Sequence, residues 1–325
     1  MKKLICVMLT VILALSCFTA CGEKADDGVL KIAVVQQLDH PSLEEICDAT
    51  VAELEAIAAE KGLTIQVEHY NGQNDTSVLA QIGATVAAED YDAIIPIATL
   101  AAQYTVTATE GKDIPIIYAA VSDPEGAGLT GMAHVTGISD ALNTPFILDM
   151  MFAVNPDIQT VGLLYSLSEP NSELPIKEAK EYLDAKGIAY IEKTGTNADE
   201  VITAASALVG RCDAVFTPTD NAVMNVAPTV AETLAKAGIP HYTGADSFVT
   251  SGSFTTCGVN YTELGTHAAK MAMEILLNGN VPVHHVMEGG IITFNSETAI
   301  ALGLDPVAVT DIFSTMANTV VDCAE

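Results

Sequence analysis

The 325-residue sequence contains no tryptophan, few other aromatic residues and few basic ones. Aromatic residues make up 5% of the chain, and 13 Lys and Arg stand against 42 Asp and Glu, for a net charge of −29. A surface this acidic repels nucleic acid and anionic lipid headgroups, so we expect no nucleic-acid partner. The shortage of aromatic rings also argues against a sugar site, since sugar rings usually stack on aromatic faces.

Metal-binding and catalytic motifs are missing as well. The seven cysteines include no Cys-x-x-Cys pair, and the chain has neither a Gly-x-Ser-x-Gly nor a His-Glu-x-x-His motif. We therefore predict no metal site, no catalytic residue and no cofactor. His284 and His285 are adjacent and would point to opposite faces of a strand, so they are not expected to chelate one ion. A disulfide is left open among the cysteines beyond the N-terminus, which are Cys47, Cys212, Cys257 and Cys323.

The N-terminus has the layout of a secretory signal peptide. Two lysines precede an uncharged apolar run at 4–15, which is too short to span a bilayer. Small residues then precede Cys21, an arrangement that resembles a bacterial lipobox. We predict a lipoprotein signal peptide at 1–20, lipidation of Cys21 and a polar tether at 21–29, which would place the chain on the extracytoplasmic face of the cell membrane. The alternative is a secreted protein in which Cys21 is an ordinary residue.

The rest of the chain alternates strand and helix patterns. The apolar run at 30–35 is typical of a buried parallel strand, and the helical pattern that starts at Pro41 stops at Gly62. Regular alternation predicts a parallel sheet with helices on both faces. About 300 residues exceed the usual size of a single core, so we expect two lobes.

The second half of the sequence repeats the first. The stretch 92–99 aligns with 213–220, and 113–115 aligns with 238–240, in the same order along the chain. We predict an α/β fold of two similar lobes, each a parallel sheet flanked by helices, joined by a hinge. The predicted lobes are 30–139 plus 255–280 at the N-terminal side, and 140–254 plus 281–325 at the C-terminal side.

Ligands of open parallel sheets bind beyond the carboxyl ends of the strands. Two such lobes set edge to edge would form a cleft lined by residues that directly follow strands. The candidate binding residues are Gln36, His40, Thr99, Ala101 and Ser122 from the first half, and Asn171, Asp220, Asn221 and Asp246 from the second.

These side chains suit a zwitterion. Thr99 stands at a predicted helix start, where its hydroxyl and the free N–H groups would accept a carboxylate, with Ser122 as a second hydroxyl. Asp220 in the other half would pair with an ammonium group, and Asp246 is a second acid near the same wall. Asn171 both donates and accepts.

Each of these residues also has a purely structural interpretation. Thr99, Ser122 and Asp220 are typical helix caps, and Asn171 and Asp246 are typical turn residues. His40 fits a role in holding its own loop better than a role in contacting ligand.

Short motifs at these positions together resemble one protein family. They are His40-Pro41, Ile97-Ala98-Thr99 with Ala101-Ala102-Gln103, Ser122-Asp123-Pro124 with Gly126-Ala127-Gly128-Leu129, Thr136-Gly137-Ile138-Ser139-Asp140, Asn171-Ser172, Pro218-Thr219-Asp220-Asn221, and Tyr261 with Leu264-Gly265. Over 30–282, the sequence resembles the tryptophan/tyrosine-type substrate-binding proteins of ABC transporters, which have the type I periplasmic-binding-protein fold. The sequence departs from the family pattern at Gly244, where members often carry an acid, and in a short segment before Thr136.

The resemblance implies an aromatic amino acid or similar zwitterion as ligand, a membrane permease as partner and no catalysis. Two alternatives remain within the same fold: a ligand-sensing receptor, and a binding protein for a sugar or nucleoside. An extracytoplasmic hydrolase is the alternative of a different class, and no recognised nucleophile motif supports it.

Overall fold

The computed structural model describes residues 28–324 and divides them between two sheets. The predicted signal peptide, the predicted lipidation site Cys21 and most of the predicted tether lie outside the described residues. In the part that the structure covers, no helix has the length and apolar character needed to cross a membrane.

The strands and helices alternate along the chain. The strands are β1 (Val29–Gln36), β2 (Thr64–Asn71), β3 (Ala93–Ile97), β4 (Ile116–Ala119), β5 (Val135–Ser139), β6 (Thr160–Ser166), β7 (Ala189–Gly195), β8 (Ala214–Thr217), β9 (His241–Thr243), β10 (Thr255–Gly258), β11 (His285–Val286), β12 (Ile291–Phe294) and β13 (Thr319–Asp322). The α-helices are α1 (Pro41–Lys61), α2 (Thr76–Ala88), α3 (Thr99–Ala108), α4 (Thr144–Val154), α5 (Glu173–Lys186), α6 (Ala198–Ser206), α7 (Asn221–Met224), α8 (Ala227–Lys236), α9 (Asp246–Thr250), α10 (Tyr261–Asn278), α11 (Ser296–Ala301) and α12 (Pro306–Ser314).

Each lobe is built on one of the two sheets. The first sheet has the order β11-β5-β4-β3-β1-β2, and its strand pairs are parallel. The second has the order β13-β12-β10-β9-β8-β6-β7 and is parallel except where β10 pairs with β12. The predicted fold of two α/β lobes on parallel sheets is confirmed.

Two predicted lobe boundaries differ from the observed sheets. The strand β10, predicted for the N-terminal lobe, pairs with β9 and β12 of the second sheet, so the second crossing between lobes lies at 259–260. The strand β11, predicted for the C-terminal lobe, pairs with β5 of the first sheet, so the third crossing lies at 287–290. The sequence pattern predicts where a strand lies but not which strand it pairs with, because pairing depends on residues that are distant along the chain.

Equivalent glycines end the helices that follow β1 and β6. Gly62 ends α1 with φ 68°, and Gly187 ends α5 with φ 69°. Both residues adopt the left-handed conformation that glycine reaches without strain. The chain forms two separate helices after Asp220, α7 and α8, because Pro228 in the first turn of α8 cannot continue a helical hydrogen-bond ladder.

The last helix of the first lobe packs tightly on the first. The hydroxyl of Thr50 on α1 donates to the carbonyl oxygen of Gly265 on α10 at 3.1 Å. A Cβ at position 265 would lie 2.4 Å from the carbonyl oxygen of Ile46. The absence of a side chain therefore allows α10, which comes from late in the sequence, to complete the N-terminal lobe.

The cysteines left open for disulfide formation are free thiols in the described part of the chain. Cys47, Cys212 and Cys257 are buried, and burial raises the pKa of each thiol to about 11. These three side chains therefore act as small apolar residues of the core.

Candidate functional site

A cavity lies between the lobes, beyond the carboxyl ends of the central strands. Its polar lining includes His40, Thr99, Ser122, Asp140, Asn171, Asp220 and Asn221. Its apolar lining includes Leu43, Met224 and Phe248. This is the position at which parallel α/β sheets bind small molecules.

The backbone of the first wall is strained where it meets the cavity. Ala98 follows β3 with φ 77° and ψ 162°, and Ala120 follows β4 with φ 54°. Such conformations are unfavourable for alanine and persist only when surrounding structure enforces them, as the 2.9 Å bond from Ala98 N–H to the Ala119 carbonyl does here. The strain at Ala98 turns Thr99 and the first turn of α3 toward the cavity.

Three buried polar atoms in the cavity lining have no hydrogen-bond partner among the described residues. They are His40 Nδ1, Thr99 Oγ1 and Asn171 Oδ1. Asn221 Nδ2 donates to Glu169, so Asn221 Oδ1 faces His40 Nε2 at 3.0 Å and accepts a hydrogen bond from the Nε2–H group. His40 Nδ1 is then an acceptor, like Asn171 Oδ1. Since unpaired buried polar atoms are costly, these atoms indicate a ligand that supplies hydrogen-bond donors.

Asp140 places a buried carboxylate in the same cavity. It follows β5 directly, is 6% exposed, and its one side-chain hydrogen bond within residues 28–324 comes from the Ser122 hydroxyl at 3.0 Å. Burial raises the pKa of this carboxyl group. A cationic group beside Asp140 would offset that penalty, since an opposite charge favours the ionised form.

Asp220, by contrast, is occupied by its own lobe. Its Oδ2 accepts from the Ser166 N–H at 2.6 Å and the Ser172 hydroxyl at 2.7 Å, and its Oδ1 accepts from the Val223 N–H at 2.9 Å. The carboxylate thus caps α7 and ties the loop after β6 to it, as the structural interpretation of this residue predicts. Burial raises the pKa of Asp220, while the Ser166 and Ser172 bonds oppose that rise.

The cavity has no compensating cation among its described lining residues. Its one basic side chain is His40, and burial lowers the pKa of that imidazole to about 4, so the ring is neutral near pH 7. A buried carboxylate and neutral acceptors without a positive charge make the cavity electronegative. The cavity therefore suits a ligand that carries a positive charge.

Several polar pairs join the two walls directly. His40 contacts Asn221, the Ser42 hydroxyl donates to the Ser247 oxygen at 2.8 Å, and Ser122 contacts the Thr219 hydroxyl at 3.2 Å. Each pair has one member in each lobe. The lobes are therefore closed on the cavity.

Six of the nine predicted binding residues line the cavity, namely His40, Thr99, Ser122, Asn171, Asp220 and Asn221. Gln36, Ala101 and Asp246 do not. The Gln36 amide donates to the Leu38 carbonyl at 2.7 Å, and its oxygen contacts His69 of β2. Side chains alternate along β1, and the register places Gln36 on the same face of the sheet as His69.

Ala101 and Asp246 lie on the sides of their helices that face away from the cavity. Ala101 is two residues beyond Thr99 on α3, about 200° around the helix, and packs in a core cluster with Ala33 and Leu79. Asp246 begins α9 and borders a separate depression that also includes Glu45. The strand-end rule predicts the neighbourhood of a site but not the direction of each side chain.

Three residues that are not among the nine predicted binding residues are prominent in the structure. Asp140 belongs to it by the same rule as the others, since it is an acid at the end of a strand. Glu169 and Gln37 lie buried beside the cavity and hydrogen-bond to each other across the lobes at 3.0 Å. Only the paired lobes show that these two side chains meet.

The departure at Gly244 has a local cause. A Cβ at this position would lie 2.5 Å from the backbone nitrogen of Thr219. The close approach of the strand ends therefore excludes an acid at 244.

The fold and the interlobe cavity together define a two-lobed binding protein. A family model described as ABC transporter substrate binding protein matches residues 31–305. The chain belongs to this family of ABC transporter substrate-binding proteins, which bind solutes and are not enzymes. Membership implies a small-molecule ligand and a transporter permease as partner.

A curated relative is similar to this sequence over nearly its whole length. The sequence is 30% identical over 331 residues to a tyrosine-binding protein of Clostridioides difficile (strain R20291), covering 96% of this chain and 95% of that protein.

Solved structures support the same grouping. A Streptococcus pneumonia ABC domain in complex with L-Trp matches with TM-score 0.81 and 29% identity, covering 90% of this chain and 99% of that one. The ligand-free, open structure of a Clostridium difficile substrate-binding protein with adhesive properties has the same coverage and 32% identity but a TM-score of 0.66. The described lobes are thus arranged more like those of the tryptophan complex.

Proposed function

We propose that this protein binds an aromatic amino acid, as its zwitterion, in the interlobe cavity and delivers it to an ABC uptake permease. The observation that carries the proposal is the set of unpaired acceptors around a buried carboxylate, with no cation in the same cavity lining. An α-ammonium group supplies both the charge and three N–H donors that such a set requires.

The ammonium group is assigned to Asp140 rather than to Asp220. The Asp220 oxygens already accept three hydrogen bonds from other residues of the second lobe, whereas Asp140 accepts one from another residue, the Ser122 hydroxyl. A charge-assisted bond in a closed cavity contributes roughly 1.5–3 kcal/mol, which is enough to orient the ligand.

The carboxylate group is assigned to Thr99 and the first turn of α3. The Thr99 hydroxyl is buried without a partner among the described residues. The first N–H groups of a helix have no acceptor within the helix, and since Gln37 already accepts from the Leu100 N–H, those of Thr99 and Ala101 are the ones assigned to the carboxylate. Leu43, Met224 and Phe248 then provide an apolar surface for the side chain of the ligand. The tyrosine and tryptophan ligands named for two relatives agree with an aromatic side chain at this place.

A ligand series that removes one group at a time tests this assignment. L-Tyrosine and L-tryptophan are compared with the matching acid that lacks the amine and the matching amine that lacks the carboxylate, by thermal shift and calorimetry. We expect binding of the zwitterions and a loss of roughly tenfold or more without the amine. Nucleosides and sugars complete the series, and binding of one of them in place of the amino acids would overturn the proposal.

We also propose that Cys21, which lies outside the described residues, is lipidated and anchors the protein to the extracytoplasmic face of the membrane. The order of charged, apolar and small residues before Cys21 supports this. Membrane fractionation of cells that produce the wild type or Cys21→Ala tests it. The variant is expected to leave the membrane fraction, and unchanged membrane association would argue against the anchor.

A further inference from the structure

A chain of four polar side chains joins the lobes beside the ligand cavity. Gln37, just after β1 in the first lobe, donates from Nε2 to Glu169 Oε1 at 3.0 Å. Glu169 lies in the loop after β6 of the second lobe, and its Oε2 accepts from Asn221 Nδ2 at 2.8 Å. Asn221 Oδ1 then contacts His40 Nε2 of the first lobe at 3.0 Å. The chain thus begins and ends in the first lobe and passes through the second.

The first member of this chain is held firmly in place. Gln37 Oε1 accepts from the Leu100 N–H at 3.2 Å, and Gln37 Nε2 also donates to Asn74 Oδ1 at 3.1 Å. Gln37 is 0% exposed and Glu169 is 2% exposed, and neither lines the cavity. Their contact therefore acts between the lobes without needing to touch a bound ligand.

We propose that Gln37, Glu169, Asn221 and His40 form an interlobe latch that stabilises the closed lobes in the absence of ligand and so sets the apparent ligand affinity. Opening would break the bonds of the latch at both its ends. A receptor that is already partly closed binds more tightly, because its apparent dissociation constant is the intrinsic constant divided by the closed fraction.

Because Glu169 is buried, the stability of the latch depends on the hydrogen-bond donors that face this residue. This carboxylate is stabilised by amide donors from both lobes, and burial and the nearby Asp220 carboxylate raise its pKa. If a donor is replaced by an acceptor, the closed form contains a buried acceptor facing another acceptor, whereas the open form lets both be hydrated. The penalty therefore falls mainly on the closed state.

Exchanging the two side chains provides the sharpest test. In Gln37→Glu alone, studied above pH 8 so that Glu169 is ionised despite its raised pKa, two carboxylates face each other and the latch is lost. In Gln37→Glu with Glu169→Gln, the new amide at 169 donates to position 37 and still accepts from Asn221, and the new carboxylate at 37 still accepts from the Leu100 N–H. Only the side-chain amide of Asn74 has to flip, so that its N–H group rather than its oxygen faces position 37.

Opening is measured without ligand by fluorescence energy transfer between dyes on exposed positions of the two lobes, Glu60 and Glu181, after Cys323 is replaced by serine. We expect Gln37→Glu to shift the chain toward larger interlobe distances and to weaken amino-acid binding by roughly tenfold. The exchanged double variant should regain the wild-type distances and affinity. If Gln37→Glu does not fold, Glu169→Gln alone, which loses one bond of the latch, should show the same direction with a smaller shift.

The matched control is Glu192→Gln, which removes a carboxylate that accepts from Tyr165 and pairs with Lys180 within the second lobe. It should leave the interlobe distances unchanged. Wild-type distances in Gln37→Glu, or a double variant as open as the single one, would overturn the latch. Because the distances are measured without ligand, this outcome is distinct from a failure to bind aromatic amino acids.

Discussion

Replacing Asp220 by alanine separates a structural carboxylate from a ligand-binding one. The carboxylate receives three donors from its own lobe: the N–H groups of Ser166 and Val223 and the hydroxyl of Ser172. Asp220→Ala leaves these donors without an acceptor in a fully buried site. We therefore expect the ligand-free protein itself to lose stability.

The size of the effect follows from the number of bonds. Each unsatisfied buried donor costs about 1–3 kcal/mol, and removing the desolvation penalty of the carboxylate offsets part of the total, so we expect a net loss of about 3 kcal/mol. For a folded chain of this length, each kcal/mol lowers the melting temperature by roughly 1.6 °C, from an unfolding entropy of about 2.1 cal/mol/K per residue. The ligand-free Asp220→Ala protein should therefore melt about 5 °C below the wild type.

The matched control is Asp213→Ala, measured in the same calorimetric experiment. The exposed Asp213 carboxylate accepts from the N–H groups of Gln159 and Thr160, at 2.8 and 2.9 Å. Water can replace it there, so the loss should stay near 0.5 kcal/mol. If ligand-free Asp220→Ala melts like the wild type but no longer binds amino acids, our assignment of Asp220 to the scaffold is wrong.

Three further predictions concern the charge, the packing and the pH dependence of the closed form. Asp140→Asn keeps an acceptor for Ser122 but removes the charge, so calorimetry should show a roughly tenfold to hundredfold loss of affinity for an aromatic amino acid; unchanged affinity would place the ammonium elsewhere. Gly265→Ala puts a Cβ 2.4 Å from the Ile46 carbonyl oxygen, so urea unfolding should show a loss of about 1–3 kcal/mol, and wild-type stability would mean that α1 and α10 separate freely. The raised pKa of Glu169 makes the closed form bind a proton, whereas the lowered pKa of His40 makes closure release one below pH 6.5. Above pH 6.5 closure still involves proton uptake by Glu169 but no longer proton release by His40. The closed fraction measured by energy transfer should therefore fall as the pH rises, and Glu169→Gln should reduce this dependence.

The order of the elements could be predicted because its signals are local. Gly62 and Gly187 end equivalent helices with φ near 70°, as glycine does when its left-handed conformation ends a helix. The apolar run at 30–35 lies within β1, which is buried from Ile32 onward. The repetition of these signals in the second half predicted two lobes. None of this required knowledge of which residues meet in space.

The choice of functional side chains was less predictable. Gln36 and Gln37 are neighbours at the end of one strand, yet Gln36 turns to His69 and Gln37 to Glu169 in the other lobe. Asp140 and Asp220 are both acids after strands, and their difference lies in the number of donors that surround each one. The sequence pattern does not show which hydrogen-bond donors surround each carboxylate.

The sequence by itself determined the alternation of strands and helices and the duplication of the lobe, because turns, caps and apolar periodicity act over a few residues. The tertiary structure alone decided that β10 joins the second sheet and β11 the first, and that Asp140 rather than Asp220 keeps a carboxylate available to a ligand. Strand pairing and the satisfaction of a buried charge depend on residues that are distant along the chain, so they are determined only when the two lobes pack together.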